Sequence, residues 1–175
     1  NEIGMHSGYL INVANAVDNR VIITFEDYDQ KSLSKETTLD FNTDDKMYLE
    51  KELYLVLERS CARMRRKNYV SDNITVKVKY SDFSVNQKSS TLNRFSNVEM
   101  DFYEDALKLF DKLYKKGKFI RLVGVKFADL KEYDGSMQED LFNKDYKYKS
   151  LVENIDKIRK KYDYNVVKFG KTFDI

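Results

Sequence analysis

Cysteine, histidine and proline are scarce or absent in this chain of 175 residues. Cys61 is its one cysteine and His6 its one histidine. A lone cysteine excludes a disulfide framework and a cysteine-rich metal site, and a lone histidine excludes a histidine-cluster metal site. Catalytic triads usually need a histidine, so the sequence also argues against that chemistry. Because proline is absent, turns must depend on Asn, Asp, Ser and six glycines.

Long apolar runs are missing as well. No stretch approaches the roughly 20 residues of a membrane span. The first four residues have neither the pattern of a signal peptide nor an initiator methionine. We therefore expect a cytoplasmic protein with no membrane partner, and we interpret the chain as a segment cut from a longer one.

Neither sign of charge dominates the chain. Lys and Arg total 31 and Asp and Glu total 29, which leaves a net charge of +2. This balance excludes a chain-wide cationic field for nucleic acid, although a local basic face is still possible. Charged residues make up 34% and hydrophobic residues 42% of the chain, which is typical of a soluble domain with a highly charged surface.

The order of periodic segments predicts an α+β fold. Residues 42–45 form a helix start signal, residues 96–99 fit a capping box, and Gly117 suits a left-handed helix terminator. We predict the ferredoxin-like order β-α-β-β-α-β, with a four-stranded antiparallel-type sheet, two helices on one face and the other face open. The predicted segments are 31–41, 45–67, 74–80, 85–92, 99–116 and 118–128.

Weaker patterns flank this unit. Residues 8–17 are weakly helical, and residues 131–149 are polar and turn-rich, which predicts a flexible linker. Apolar residues between Leu151 and Tyr162 are spaced for a short C-terminal helix. Residues 166–169 fit a short strand.

The uncovered sheet face is predicted to be polar and basic. Hydroxyl, amide and ammonium groups donate hydrogen bonds to phosphate oxygens, and no aromatic is interleaved at outward positions. Recognition of unstacked bases needs such aromatics, so the composition favours a duplex backbone. A face that is merely soluble explains the composition equally well. The outward candidates include Lys31, Ser32, Ser34, Lys35, Thr37, Thr75, Lys77, Lys79, Ser81, residues 86–91, Arg121 and Lys126.

Six segments, in order, resemble the Y-family (translesion) DNA polymerases. Residues 74–83, ITVKVKYSDF, resemble the strand "TVTLKIRYSDF" of the little-finger domain in that family. Ala16 and residues 87–88 depart from the family pattern, where glycine and Thr-Arg are usual. The other matching segments are 14–18, 31–37, 88–92, 121–130 and 151–162.

The resemblance implies a non-catalytic fragment of a DNA-directed DNA polymerase. The family's catalytic carboxylates and Mg²⁺ belong to a palm domain upstream, so we expect no catalytic residue, metal site or cofactor in this chain. Its acidic clusters, residues 44–45 and 99–105, begin predicted helices and suit capping. The implied layout is the end of the thumb (1–18), a tether (19–30), the little-finger domain (31–130), a linker (131–149), and a C-terminal helix and tail (150–175).

The implied partner is double-stranded template-primer DNA. The sheet would hold the duplex by sequence-independent, salt-dependent contacts with its phosphates, in DNA damage bypass and repair in a bacterial nucleoid. The expected contacts are Lys31, Ser32, Ser34, Lys77, Lys79, Lys88, Ser89, Ser90 and Arg121.

A second motif lies in the predicted linker. Residues 137–142, MQEDLF, match the Gln-x-x-Leu-Phe pattern by which bacterial polymerases bind the sliding clamp. Leu141 and Phe142 would enter an apolar pocket of the clamp while Gln138 fixes the orientation by amide hydrogen bonds. The alternative is that Leu141 and Phe142 fold back onto the domain.

Other residues have simpler interpretations, and two other functions stay open. Cys61 is expected in the core, His6 in a surface or helix-packing role, and the basic run 59–67 on a solvated helix surface. The alternatives are a single-strand nucleic-acid binder of the same fold and a module that only binds protein. The sequence leaves the oligomeric state open, with a monomer as the expectation.

Overall fold

The computed structural model describes residues 7–18, 30–133 and 144–170, with side chains of the last range from residue 147. Within these ranges no helix is both long and apolar enough to cross a bilayer. The elements are α1 (Ser7–Ala14), β1 (Ser32–Thr43), α2 (Lys46–Arg66), β2 (Tyr69–Tyr80), β3 (Val85–Ser96), α3 (Glu99–Leu113), β4 (Ile120–Ala128), β5 (Lys131–Glu132), α4 (Lys144–Tyr162) and a 3-10 turn (Tyr164–Val166).

The sheet has the strand order β1-β4-β2-β3, and every pairing is antiparallel. The two-residue strand β5 pairs with the start of β2. Together with the two helices between the strands, this topology confirms the predicted ferredoxin-like fold. The structured part of β2 begins five residues earlier than its alternating pattern, and β3 extends four residues beyond the predicted segment.

One face of the sheet carries the core. Ile74, Val76 and Val78 of β2 are fully buried, and they pair with Phe127, Val125 and Val123 of β4, which are buried on the same side. Helix α2 packs against β1 and β4, and α3 packs against β2 and β3. Burial of each large apolar side chain contributes about 1.5–3 kcal/mol. Cys61 is fully buried within this cluster, which confirms its predicted core position.

The N-terminal cap of α2 agrees with the prediction, and that of α3 does not. Asp45 caps α2 as predicted, because its carboxylate accepts the backbone N–H groups of Met47 and Tyr48. The predicted capping box at α3 is wrong: Val98 is the N-cap and has no side-chain bond. The carboxylate of Glu99 is instead turned into the core towards Arg65.

Gly117 has the positive φ, 82°, that its prediction required. The helix already ends at Leu113, however, and Tyr114 leaves it in an extended conformation. Gly117 therefore forms the turn before β4, where its N–H donates to Asp44 Oδ2 at 3.0 Å.

The C-terminal helix is longer than predicted. It begins at Lys144, within the segment predicted as a linker, and Val152 and Ile155 are its buried apolar residues. Residues 166–169 do not form the predicted strand, because a 3-10 turn occupies Tyr164–Val166.

The buried guanidinium of Arg65 joins α4 to α2 and α3. Arg65 of α2 has a side chain only 7% exposed and forms ion pairs with Glu99 Oε2 at 3.0 Å and Asp156 Oδ2 at 2.6 Å. It also donates to the backbone carbonyl of Asn97 at 2.7 Å. The prediction that the whole basic run is solvated is therefore wrong for Arg65, although Arg59, Arg63 and Arg66 are exposed.

Burial and pairing act in opposite directions on this cluster. Burial opposes the charge of Arg65, but hydrogen bonding to Asp156 and the nearby charge of Glu99 outweigh it and raise the pKa of Arg65. Burial also raises the pKa of Glu99, while the charge of Arg65 partly offsets that effect. Arg65 thus stays charged, and its two acidic partners compensate that buried charge.

A second buried pair lies about one turn further along α4. Arg159 Nη2 lies 2.8 Å from Glu58 Oε1 of α2, and both side chains are at most 5% exposed. The hydroxyl of Tyr164 donates to Glu58 Oε2 at 2.9 Å. The guanidinium of Arg159 also donates to the carbonyl of Val167. Two long arginines from facing helices therefore hold α4 to α2.

Replacing Arg65 tests the first of these connections. We expect Arg65→Ala to lower the free energy of unfolding by about 3–5 kcal/mol, because it leaves the acids around it without their cation. Urea denaturation of both chains gives the difference. The exposed Arg63→Ala is the matched control and is expected to change stability by no more than about 0.5 kcal/mol. Equal effects of the two substitutions would contradict a structural role for Arg65.

Candidate nucleic-acid interface

The sheet face opposite α2 and α3 is called the open face. Strand register assigns residues to it, because paired residues share a face and neighbours along a strand alternate. Reading across β1, β4, β2 and β3, its four rows are Ser32–Ala128–Asn73–Thr91, Ser34–Lys126–Thr75–Ser89, Glu36–Gly124–Lys77–Gln87 and Thr38–Leu122–Lys79–Val85.

Five of the nine predicted duplex contacts lie together on this face. They are Ser32 and Ser34 of β1, Lys77 and Lys79 of β2, and Ser89 of β3. Ser89 and Thr75 are hydrogen-bonded through their hydroxyls at 2.9 Å. The middle of the sheet therefore presents a polar surface whose hydroxyl and ammonium groups are held at fixed spacing.

Two predicted contacts lie on the other side of the sheet. Lys88 pairs with Val76 and Ser90 pairs with Ile74, so both belong to the helix-bearing face. Their assignment to the uncovered face is therefore wrong. β3 is polar throughout residues 86–91, so composition alone could not decide which of these residues lie on which face.

The first strand needs similar corrections. Lys35 and Thr37 pair with Val125 and Val123 on the helix-bearing face. Lys31 precedes β1 and lies outside the strand register. Only Ser32 and Ser34 of the residues proposed in this strand belong to the open face.

Arg121 reaches the open face by a different route. Lys79 pairs with Leu122 and Tyr80 pairs with Ile120, so Arg121 is the extra residue of a β-bulge. Its guanidinium carbon lies 5.4 Å from the ring centroid of Phe83, and Lys79 Nζ lies 4.8 Å from the same centroid. Two cations thus meet over one aromatic ring at one end of the open face.

Phe83 was missed because the sequence placed it in a turn. It is 62% exposed and has a φ of 65° in the connection between β2 and β3. Asp82 holds this turn: its carboxylate accepts the N–H and hydroxyl of Ser84, and Lys118 Nζ lies 3.2 Å from its other oxygen. The hydrogen bond from the Ser84 hydroxyl leads the interactions that lower the pKa of Asp82 to about 2.

An acid lies among the cations of the open face. Gly124 pairs with Glu36 on one side and Lys77 on the other, and it has no side chain to separate them. Lys77 Nζ therefore reaches Glu36 Oε1 at 2.7 Å. A Cβ at position 124 would lie 2.7 Å from Glu36 Cγ, closer than carbon atoms tolerate. Sequence reasoning missed Glu36, although it continues the alternation of Ser32 and Ser34.

The open face with its bulge is nevertheless cationic. Its four rows and the bulge carry Lys77, Lys79, Lys126 and Arg121 against one acid, Glu36. Lys126 is exposed and lies in the same row as Ser34 and Ser89. Such a surface can hold phosphate oxygens by charge and by hydroxyl hydrogen bonds.

Metal chemistry finds no support in the described ranges. They contain no group of three or more His, Cys, Asp or Glu side chains that could hold an ion. Asp45 caps a helix, and Glu99 and Asp101 pair with Arg65 and Arg94. His6 and the predicted clamp contacts Gln138, Leu141 and Phe142 lie outside the described residues.

The fold and its cationic sheet define a small α+β domain suited to binding an anionic partner. Residues 30–141 match the impB/mucB/samB family C-terminal domain, and the chain belongs to that family. This result confirms the family resemblance found in the sequence.

Named relatives agree with this assignment. The chain is 26% identical to DNA polymerase IV of Dehalococcoides mccartyi, over 99% of this chain and 44% of the relative. It is 27% identical to DNA polymerase IV 1 of Bacillus subtilis, over 97% of this chain and 42% of the relative. It therefore spans less than half the length of these curated relatives. A solved Y-family DNA polymerase chimera shares the fold, with a TM-score of 0.50 and 22% identity over 74% of this chain and 36% of the other.

The stability of the turn at Phe83 is expected to depend on pH through Asp82. The pKa of Asp82 lies below its ordinary value of 3.8, so the carboxylate stabilises the turn above that pH and the contribution is lost as the pH falls towards about 2. Ser84→Ala should raise the pKa of Asp82 towards 3.8, measured by NMR titration of its carboxyl carbon. Ser81→Ala, whose hydroxyl takes no part, is the control. A titration midpoint for Asp82 that is the same with and without the Ser84 hydroxyl would exclude this account of the turn.

Proposed function

We propose that this chain is the DNA-binding C-terminal region of a translesion DNA polymerase and grips template-primer duplex by its phosphates. The observation that carries the proposal is the open face, where cations and hydroxyl groups from the four strands form one surface that none of the described helices covers. The family assignment of residues 30–141 supports it independently.

The chemistry of the open face favours backbone contacts. Lys77, Lys79, Lys126 and Arg121 offer positive charge, and rows of hydroxyl and amide groups offer hydrogen-bond donors. Phosphates are the same for every sequence, so binding is expected to be independent of base sequence and strongly dependent on salt. Grip of this kind suits an enzyme that must hold whatever duplex it has just made.

The position of Glu36 limits the strength of that grip. Its ion pair with Lys77 occupies one of the four cations and places a negative charge where a phosphate would approach. An exposed pair of this kind is worth at most about 1 kcal/mol, so a phosphate can compete for Lys77. Glu36 is therefore proposed to weaken duplex binding without preventing it.

Catalysis is proposed to belong to the rest of the polymerase. Transfer of a nucleotide by two metal ions needs carboxylates clamped around both ions. In the predicted acidic clusters, Asp45 caps α2 and Glu99 pairs with Arg65 instead. The chain by itself is accordingly proposed to add no nucleotide to a primer, with Mg²⁺ held by a palm domain elsewhere in the protein.

Residues 137–142 are proposed to dock the polymerase on the sliding clamp. They follow β5 and precede α4, between two described segments of the chain. Leu141 and Phe142 would fill an apolar pocket of the clamp, and Gln138 would bond its rim. Binding through a short ordered peptide is expected near micromolar affinity, about 8 kcal/mol.

The two alternative functions receive less support. A single-strand binder that uses the open face needs several stacking aromatics, whereas the four rows contain none and Phe83 stands alone at one end. A module that binds only protein would leave the cations of the open face without a purpose. Cytoplasmic location and a role in DNA repair are part of the same proposal.

Removing cations from the open face tests duplex binding. The double variant Lys79→Ala/Lys126→Ala should bind a labelled duplex more weakly, and the slope of log K against log salt should fall by about 2, because each lost phosphate contact contributes about 0.9. Fluorescence anisotropy at several salt concentrations, with two unrelated duplex sequences, gives both values.

Two further variants complete this experiment. Lys108→Ala/Lys112→Ala removes two exposed cations from α3, on the other side of the sheet, and should have little effect. Glu36→Gln should tighten binding by about 2- to 5-fold, because it frees Lys77 from a pair worth up to about 1 kcal/mol. The proposal fails if the α3 variant and the open-face variant weaken binding equally.

The clamp peptide has its own test. Leu141→Ala/Phe142→Ala should abolish binding of this chain to a bacterial sliding clamp in titration calorimetry, because the apolar anchor is lost. Duplex affinity should stay unchanged, since the open face is intact. Clamp binding that survives the double substitution would show that the motif is accidental.

A further inference from the structure

A second cationic surface lies on the opposite side of the domain. A groove of about 710 Å³ runs between α2 and α4, and it is called the helix-side groove. Its exposed cations are Arg59, Arg63 and Arg66 of α2 and Lys157 and Lys160 of α4, with Tyr164 beside them. No predicted contact of the open face belongs to it.

The charge of this groove is strongly one-sided. Nine of its sixteen described lining residues are Lys or Arg, and only Glu153 and Asp156 are acidic. Buried acids already neutralise Arg65 and Arg159 at its floor. Like charges facing one another repel, so this arrangement creates a site that favours an anion.

Three of these cations are available to a ligand. Arg63, Arg66 and Lys160 are exposed, and none forms an ion pair with any residue of ranges 7–18, 30–133 and 144–170. Arg59 is held by an aromatic ring instead. Its guanidinium carbon lies 5.0 Å from the ring centroid of Tyr164, and the guanidinium carbon of Arg159 lies 4.1 Å from the same centroid. The aromatic ring thus positions one arginine of the groove.

The walls of the groove are fixed in advance. The pairs Arg65–Asp156 and Arg159–Glu58 join its two helices from below, and both arginine side chains are at most 7% exposed. Side chains that are already ordered lose less conformational entropy on binding. The groove is therefore a built feature of the domain and not a chance arrangement of surface lysines.

We propose that the helix-side groove binds an unpaired nucleic-acid strand through its phosphates. Arg59, Arg63 and Arg66 follow one another along α2 at about 6 and 4.5 Å, given a rise of 1.5 Å per residue. This row of guanidinium groups suits a linear phosphate backbone, which arginine binds with two parallel hydrogen bonds. Tyr133 and Tyr164, which also line the groove, give aromatic surface beside that path.

The location separates the groove from most of the open face. Lys35 of the edge strand β1 is its one lining residue from the four-stranded sheet, and the rest of the lining lies beyond that sheet, on α2, α4 and the adjoining segments. Because a helix is about 10 Å across, we assign the groove to a strand separate from a duplex on the open face. This inference goes beyond the proposed duplex grip and does not depend on it.

Two matched triple variants of the 175-residue chain test the inference. The groove variant is Arg63→Gln/Arg66→Gln/Lys160→Gln, and the open-face variant is Lys79→Gln/Lys126→Gln/Arg121→Gln. Each removes three positive charges, so any change in the long-range field is the same. The probes are a labelled thymidine 15-mer and a labelled duplex, measured by fluorescence anisotropy.

The groove variant should lose about tenfold or more of its affinity for the 15-mer while its duplex affinity stays within twofold of the parent chain. Its salt slope for the 15-mer should fall by about 2, at roughly 0.7 per lost phosphate contact. Crosslinking of a 4-thiothymidine 15-mer to the unaltered chain should label α2 or α4, which gives a result even if a variant folds poorly.

Three results would overturn the inference: equal loss of 15-mer affinity in both variants, crosslinks confined to the open face, or displacement of the 15-mer by poly-glutamate as readily as by unlabelled thymidine strand. The last would assign the groove to acidic polypeptides. Duplex affinity of the open-face variant is judged separately, so failure of the duplex proposal and failure of this inference are distinguishable.

Discussion

The whole arrangement depends on the alternation of side chains along β2. Ile74, Val76, Val78 and Tyr80 are fully buried beneath the two helices. Because successive residues of a strand point to opposite faces, their burial forces Thr75, Lys77 and Lys79 onto the other side. A slip of one residue would bury two lysines and expose four large apolar side chains, so the register that forms the core also forms the candidate interface.

Strand β4 pairs with β1 and β2, so the same alternation of faces applies to all three strands. Its register with β2 and β1 brings three strands into one set of rows. Gly124 lies at the centre of the third row, and its missing side chain lets Lys77 contact Glu36 across the strand. The bulge at Arg121 then breaks the alternation once and brings a further cation to the ring of Phe83. The open face thus combines regular pairing with one local exception.

Much of this could be read from the sequence, and the misses have physical causes. The clean alternation from Ile74 to Tyr80 is a local signal, and it predicted both the strand and its outward lysines. β3 has no such signal over residues 86–91, because the residues of both faces are polar there. Lys88 and Ser90 were therefore misassigned, and only pairing with β2 decides their side.

Other misses depend on contacts distant in the chain. Arg65 has the same local sequence context as its exposed neighbours Arg63 and Arg66. Its burial follows from Glu99 and Asp156, which are 34 and 91 residues away. The Lys77–Glu36 pair likewise spans 41 residues and requires a glycine on a third strand. Composition could indicate a basic sheet, but it could not indicate which cation was already paired.

The two cationic surfaces differ in how their charge is handled. On the open face, Glu36 lies among the cations and partly neutralises Lys77, so three other cations are left for a phosphate backbone in the proposed complex. Binding through so few phosphate contacts is expected to be weak enough to exchange and slide, because each contact adds affinity by releasing a counterion. At the helix-side groove, Glu99, Asp156 and Glu58 pair with Arg65 and Arg159 and hold the helices together. Glu153 is the one exposed acid among the described lining residues, so the exposed cations outnumber it. The same ion-pair chemistry therefore weakens one surface and stabilises the other, and the two proposals together assign this small domain two separate places for an anionic strand.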